Sequence, residues 1–168
     1  YGNLLLSRFP IVSARTVPLP NPLGREPRAA LVAELAVGKR RLVVIGTHLG
    51  LRKTERLAQT ATLGDMVEAY ARPASPLACA APPVVVLGDF NAQPQSAEIQ
   101  LLTTARTGLV DVHLLAAADD GDTYPYPEPL ARIDYIFISR HLADDVVSYG
   151  PVAAPGSDHL PVTLELRW

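Results

Sequence analysis

Residues 84–91 constrain the fold of this chain most, because an apolar run is followed at once by two polar residues. The run Val84 to Leu87 predicts a short buried strand, since three of its four residues are β-branched. Gly88 then allows a turn or a close backbone approach that a side chain would prevent. Asp89 and Asn91 follow, and positions i and i+2 of an extended segment point to the same side. We therefore expect a carboxylate and a carboxamide to project together from the end of a rigid strand.

Two interpretations of this strand end remain open from the residues alone. Asp89 and Asn91 can form an Asx turn, in which their side chains bind nearby backbone groups. Alternatively, they can hold a metal ion, a water molecule or a phosphoryl oxygen, because a strand end limits their reorganisation. The choice depends on which other polar groups the chain brings to the same place.

Size and composition predict one globular domain over residues 1–168. The chain is 48% hydrophobic and 19% charged, which is enough apolar material to bury a core. Its net charge of −2 excludes a global basic field of the kind that binds nucleic acids without sequence preference. Cys79 is the single cysteine, so no intrachain disulfide can form, and no apolar run is long enough to predict a membrane span. These features slightly favour a cytoplasmic location, and no N-terminal signal is observable.

The hydrophobic pattern predicts many strands in hairpins and two helices. Strands are predicted at residues 3–7, 11–17, 29–37, 42–45, 84–87, 133–138, 146–149 and 162–168. One helix begins near Thr54 and carries apolar residues at helical spacing, namely Leu63, Met66, Val67 and Tyr70. A second helix runs from Ser96 to about Arg106, and residues 73–83 form an Ala- and Pro-rich surface connection. This pattern favours antiparallel or mixed sheets with helices packed outside over a doubly wound parallel sheet.

A carboxylate inside an apolar strand needs an explanation. Asp134 lies within Ile-Asp-Tyr-Ile-Phe-Ile, where it either faces solvent or, if it points inward, requires a partner. His159 is the natural candidate, although Asp158 and His159 can equally form a turn before the last strand. His48 also follows a buried run. We expect Asp134 and His159 to form a pair.

The types of polar residue at these strand ends favour a hard cation. Asp89, Asn91 and Asp158 offer oxygen ligands, and no cluster of thiolates accompanies the histidines. Such a set fits Mg²⁺ or Mn²⁺ better than zinc. The chain has no Walker-type glycine loop and no Gly-x-Ser-x-Gly elbow. Glu26, Glu34 and Glu55 are expected to lie on the surface or in loops. Arg28 and Arg56 are expected to be solvated, with contact to a phosphate as the alternative.

Five motifs, in this order, resemble those of the endonuclease/exonuclease/phosphatase superfamily. They are Tyr-Gly-Asn-Leu-Leu-Leu-Ser-Arg-Phe-Pro-Ile (1–11), Thr-His-Leu (47–49), Gly-Asp-Phe-Asn (88–91), Arg-Ile-Asp-Tyr-Ile-Phe (132–137) and Ser-Asp-His-Leu-Pro-Val (157–162). The resemblance covers essentially the whole chain. It implies an α/β fold, the four-layer α/β/β/α sandwich of the DNase I-like type. It also implies hydrolysis of a phosphodiester or phosphomonoester by an activated water with Mg²⁺ or Mn²⁺.

The resemblance further implies roles for individual residues. Asp89 would orient or deprotonate the attacking water, and Asn91 would hold the phosphoryl group. His159 would contact the scissile phosphate while Asp134 orients its ring. The implied metal ligands are Asp158, Asp89 and Asn91. The substrate would be a nucleic acid, a phospholipid head group or a soluble phosphate.

Two further positions complete the comparison with the superfamily. His48 matches a histidine that some members place near the leaving group. The principal metal-binding Glu of the superfamily, and an Asn before it, lie N-terminal to the strand at 3–7, and no Glu of this chain matches it. We therefore expect the chain to be the C-terminal portion of the full domain. The rival expectation is a catalytically incomplete remnant that binds phosphate or a partner.

Overall fold

Eight strands, three α-helices and one 3₁₀-helix make up the described parts of this computed structural model, residues 2–71, 81–116 and 120–168. In chain order they are β1 (Ile11–Pro18), β2 (Ala29–Val37), β3 (Arg40–His48), α1 (Lys53–Ala71), β4 (Val84–Asp89), α2 (Ala97–Leu102), β5 (Leu109–Asp111), α3 (His113–Ala116), β6 (Asp134–Ser139), the 3₁₀-helix (Arg140–Asp145), β7 (Val146–Pro151) and β8 (Val162–Leu166).

Six of the strands form one mixed sheet in the order β1-β2-β3-β4-β6-β5. Strands β3 and β4 are parallel and are joined through α1, whereas the other neighbours are antiparallel. Strands β7 and β8 form a separate antiparallel pair. The predicted preference for mixed sheets over a doubly wound parallel sheet is confirmed.

The central strand β4 shows how the layers are built, because both of its faces are apolar. Val84 and Val86 belong to a buried cluster with residues of α1 and α2. Val85 belongs to a second cluster that includes Tyr149 of β7 and partly buried residues of β8. A strand covered on both sides is expected to be continuously apolar. Helix α3 packs against β7, which completes the order α/β/β/α and confirms the predicted fold class.

Helix α1 packs against the core through the face that its apolar spacing predicts. Leu63 and Val67 are buried, and Met66 and Tyr70 pack against the same cluster. Within the described parts of the chain, neither α1 nor any other helix is long and apolar enough to cross a membrane. Helix α2 ends at Leu102, earlier than predicted. The Thr107 hydroxyl donates hydrogen bonds to the carbonyls of Leu102 and Thr104, so the chain turns instead of continuing as a helix.

The strand predicted at residues 3–7 is wrong, because residues 2–10 form no strand. Leu4 and Leu6 are exposed, and the hydroxyl of Ser7 closes a turn with the backbone of Phe9. An apolar run forms a strand only where a neighbouring strand pairs with it. The connection predicted at 73–83 lies mostly outside the described residues.

Candidate active site

Backbone pairing brings three predicted site residues into one row across neighbouring strands. His48 at the end of β3 lies opposite Asp89 at the end of β4, and Asp89 lies opposite Asp134 at the start of β6. The row therefore lies at one end of the central sheet. Because strand hydrogen bonds fix each backbone position, the side chains need little reorganisation to act together.

Gly88 allows β3 and β4 to approach closely just before this row. Its φ is +139°, and a β-carbon built at this position would lie 1.9 Å from the carbonyl oxygen of Thr47. No L side chain fits such a contact, and the φ value itself favours glycine. The close backbone approach predicted for Gly88 is therefore present.

Asp134 and His159 form the predicted pair. Asp134 Oδ2 lies 2.7 Å from His159 Nδ1, and the two side chains are 18% and 23% exposed. Burial lowers the pKa of His159, but the hydrogen bond and the charge of Asp134 outweigh it, so this pKa lies above its usual value. Because a carboxylate only accepts, Nδ1–H donates to Asp134, and Nε2 is left for another partner.

Asp89 lies between the two histidines. Its Oδ2 is 3.2 Å from His48 Nε2 and 4.0 Å from His159 Nε2. Burial raises the pKa of Asp89, and the nearby charge of Asp134 adds to this effect, although the backbone N–H of Asn91 opposes it. Burial also lowers the pKa of His48, which favours the neutral ring. A carboxylate whose pKa is raised therefore lies between a histidine whose pKa is lowered and a histidine whose pKa is raised.

Asn91 shows that the two interpretations of the 84–91 stretch are compatible. Its backbone N–H donates to Asp89 Oδ1 at 2.7 Å, which is an Asx turn, and its side-chain Nδ2 donates to the Leu49 carbonyl at 3.0 Å. Its φ of +49° is left-handed, so the expectation that Asp89 and Asn91 project together from an extended segment is wrong at Asn91. The turn uses Asp89 Oδ1 and leaves Oδ2 directed at the histidines.

Three side chains of the site are close enough to share a metal ion. Asp89, Asp134 and His159 each place one ligand atom within 4.8 Å of the others. Two neighbouring carboxylates fit a divalent cation, which would relieve the repulsion between them. Asp158 does not belong to this group; its side chain is exposed, and its backbone carbonyl accepts a hydrogen bond from the backbone N–H of Tyr126 at 2.8 Å.

Several charged residues near the site are buried, against the expectation that they are solvated. Arg28 is 8% exposed and Glu55 is 3% exposed. Arg56 is also largely buried, with two guanidinium nitrogens 2.9 Å from Glu98, which is fully buried. The expectation for Arg56 failed because Glu98, which pairs with it, is 42 residues away in the sequence, and no local pattern indicates such a partner.

Tyr124 is a further residue of the site that the sequence did not single out. Its ring lies 4.8 Å from the ring of His159, at an interplanar angle of 43°. The side chain is 38% exposed, so its outer face is open at the entrance to the site. Only its place in the Tyr-Pro-Tyr-Pro loop marks it in the sequence, and loops often carry binding residues.

The sequence matches a known family over most of its length. A sequence model of the Endonuclease/Exonuclease/phosphatase family matches residues 1–159. Uncharacterized protein YbhP of Escherichia coli (strain K12) and that of Shigella flexneri are each 32% identical over 178 aligned residues. The match covers 99% of this chain and 63% of each relative. The chain thus spans less than two thirds of the length of these relatives.

Solved structures share the fold at lower identity. A mannosyl-6-phosphatase of Bacteroides thetaiotaomicron VPI-5482 superposes with a TM-score of 0.79 at 18% identity, over 95% of this chain and 67% of that one. The catalytic domain of human Nocturnin with bound sulfate anion superposes with a TM-score of 0.69 at 22% identity, over 94% and 61%. These likenesses show the fold, and together with the sequence match they show that the chain belongs to the Endonuclease/Exonuclease/phosphatase family.

Proposed function

We propose that this protein is a metal-dependent phosphoesterase in which an activated water attacks the phosphorus of a phosphate ester. The observation that carries the proposal is the position of Asp89 Oδ2, 3.2 Å from His48 and 4.0 Å from a His159 that Asp134 holds. A base, a fixed imidazole donor and a second carboxylate are thereby gathered at one strand end. Phosphoryl transfer requires mainly positioning and stabilisation of negative charge.

His159 is proposed to bind the phosphoryl oxygens. Its Nδ1 is occupied by Asp134, so Nε2 is the nitrogen that can donate to a substrate. The raised pKa of His159 favours a proton on both nitrogens. A preorganised cationic donor stabilises charge that develops on the phosphoryl group.

Asp89 is proposed to orient or deprotonate the attacking water. A carboxylate whose pKa is raised by burial is a stronger base than an exposed one. His48 lies within reach of Asp89 and of a leaving group on the same side, and its lowered pKa favours the neutral ring. Asn91 would bind the phosphoryl group through the second N–H of Nδ2, because the first donates to the Leu49 carbonyl and the side-chain oxygen can only accept.

The proposed cofactor is Mg²⁺ or Mn²⁺. Asp89 would hold it with Asn91 and Asp158 where His159 acts as the cationic donor. In the alternative, Asp89 would hold it with Asp134 and His159, and the His159 ring would then be neutral and bind the ion instead of the phosphate. When bound, such a cation neutralises charge on the phosphoryl oxygens and lowers the pKa of a bound water. The substrate would be a nucleic acid, a phospholipid head group or a soluble phosphate, and the net charge of −2 argues against non-specific binding of long DNA.

The test measures hydrolysis of bis(p-nitrophenyl) phosphate and p-nitrophenyl phosphate by the full-length protein, with Mg²⁺, Mn²⁺ or EDTA. Asp89→Asn should lower turnover by about 10²- to 10⁴-fold, the usual contribution of a general base. Asp144→Asn is the matched control, because it makes the same chemical change at an exposed position in the 3₁₀-helix. Unfolding midpoints should agree among the three proteins.

Two results would contradict the proposal in different ways. Wild-type turnover in Asp89→Asn would remove Asp89 from the mechanism. Absence of hydrolysis with either metal, combined with calorimetric binding of inorganic phosphate, would favour the rival reading of a phosphate-binding module without turnover.

A further inference from the structure

A separate cavity lies beside the row of His48, Asp89 and Asp134. Its volume is about 420 Å³, which is within the range of small-molecule sites. It is formed where the loop between β1 and β2 meets the loop between β3 and α1. The residues that line it include Arg25, Glu26, Arg28, Gly50, Arg52 and Glu55.

The cavity adjoins the proposed active site. Gly50 follows His48 by two positions, a distance of at most about 7 Å between α-carbons. The positive charge of Arg28 also contributes to the lowered pKa of His48. The cavity therefore lies next to His48, at the end of the row.

The cationic groups of the cavity suit an anion. Arg28 is buried and its Nη2 lies 2.9 Å from a carboxylate oxygen of Glu26. Arg25 and Arg52 are exposed at the rim, and within the described parts of the chain neither guanidinium forms an ion pair. The cavity also lies at the N-terminal end of α1, a 19-residue helix whose dipole favours negative charge. Arginine binds phosphate and carboxylate oxygens through two N–H groups at once.

Glu55 gives the cavity a second property. It is 3% exposed, and its Oε1 has no hydrogen-bond partner among the described residues. A β-carbon at Gly50 would lie 2.7 Å from Oε2 of Glu55, so glycine at this position leaves room for the Glu55 carboxylate in the wall of the cavity. A buried carboxylate oxygen needs a donor, and a hydroxyl group of a ligand supplies one.

We propose that this cavity binds a second anionic group of the substrate, and that the protein acts on hydroxylated molecules that carry two phosphate groups. This inference rests on the proposed function for the phosphate that reacts. The lining residues named above sum to three arginines and two glutamates, a net charge of +1. A net charge of +1 in a cavity of this size suits one additional anionic group better than the many charges of a nucleic-acid strand.

The first test measures binding without turnover. Fructose 1,6-bisphosphate and fructose 6-phosphate are titrated by calorimetry into the full-length protein in EDTA. We expect the bisphosphate to bind about tenfold more tightly or better, as hydrogen bonds to charged groups imply. The double variant Arg25→Gln/Arg52→Gln should lose this preference. The control Arg41→Gln, exposed on β3 away from His48, should keep it.

The second test compares turnover. With metal present, the ratio of kcat/KM for the bisphosphate to that for the monophosphate should fall in the double variant, while it stays constant in Arg41→Gln. Binding to vesicles that contain phosphatidylinositol 4-phosphate is compared with binding of fructose 1,6-bisphosphate. The tighter of the two shows whether the hydroxylated ring with two phosphates is a lipid head group or a soluble sugar. Binding of either that depends on Arg25 and Arg52 supports the inference.

Three outcomes would overturn the inference. One is equal affinity for the two sugars in the wild-type protein. Another is a preference that survives in the double variant. The third is arginine-dependent binding of a single-stranded oligonucleotide that exceeds binding of the bisphosphate. If turnover is absent but the arginine-dependent preference remains, the proposed function fails and the anion site stands.

Discussion

Replacement of Gly88 by alanine tests whether the close approach of β3 and β4 holds the site together. The new β-carbon would lie 1.9 Å from the Thr47 carbonyl oxygen, whereas real contacts of this kind are essentially never shorter than 3.0 Å. The two strands must therefore separate by about 3.0 − 1.9 = 1.1 Å at this point. His48 and Asp89 are the next pair in the register, so this separation should also increase the distance between them.

Two costs combine in this variant. A backbone conformation with φ of +139° costs an L-residue about 1–3 kcal/mol, and forced separation of packed strands costs about 1–3 kcal/mol more. The free energy of unfolding should therefore fall by about 2–6 kcal/mol. For a domain of this size, each kcal/mol lowers Tm by about 2–4 °C.

Gly46→Ala is the matched control, because Gly46 lies in the same pair of strands. A β-carbon at Gly46 meets no atom within 4 Å, and its φ is not positive. We expect Gly46→Ala to change stability by less than about 1 kcal/mol, in either direction. Urea unfolding monitored by circular dichroism measures both variants. Equal unfolding midpoints for the two variants would refute the argument that Gly88 is required by contact and conformation.

Three further predictions concern charged pairs. Asp134→Asn should lower the pKa of His159 in an NMR titration, and an unchanged pKa would contradict the pairing. Because the native pair raises the pKa of His159 above 6.5, the stability that the pair gives the fold should be greatest below about pH 6.5. It should be lost as pH rises through the folded-state pKa. If Asp89, Asp134 and His159 hold the ion, calorimetric Mg²⁺ titration should show weaker binding in Asp134→Asn than in Asp158→Asn. The reverse order would favour Asp158, Asp89 and Asn91, the ligands that the resemblance to the superfamily implies. Asp111→Asn should lower the free energy of unfolding, measured in urea, by about 3–5 kcal/mol, because it leaves the buried charge of Arg132 uncompensated. The two side chains lie 2.8 Å apart and each is 4% exposed. A loss below about 1 kcal/mol would contradict this reasoning.

The sequence predicts the central strands and the Asp134–His159 pair because local pattern and tertiary environment agree there. The continuous apolar run of β4 reflects burial on both faces, and a carboxylate in an apolar strand requires a partner. Burial of Glu55 was not predictable in this way. It depends on the loop of residues 19–28, which Gln59 holds by a hydrogen bond to the Pro20 carbonyl. Contacts between loops distant in sequence leave no periodic pattern, so the cavity lined by Arg25, Arg28 and Glu55 is visible only in the structure.

The row of His48, Asp89 and Asp134 inherits its geometry from strand register and not from loops. A slip of one residue would turn a strand's whole set of side chains to the other face, so the pairing is strongly specified. The cavity, by contrast, is lined by two loops and by Glu55 of α1, which no strand pairing constrains. Under the proposed function, reaction chemistry and substrate choice would be separately adjustable. A library of variants confined to residues 22–26 and 51–52 would then change selectivity among phosphate esters, while the sheet would keep His48, Asp89 and Asp134 in register.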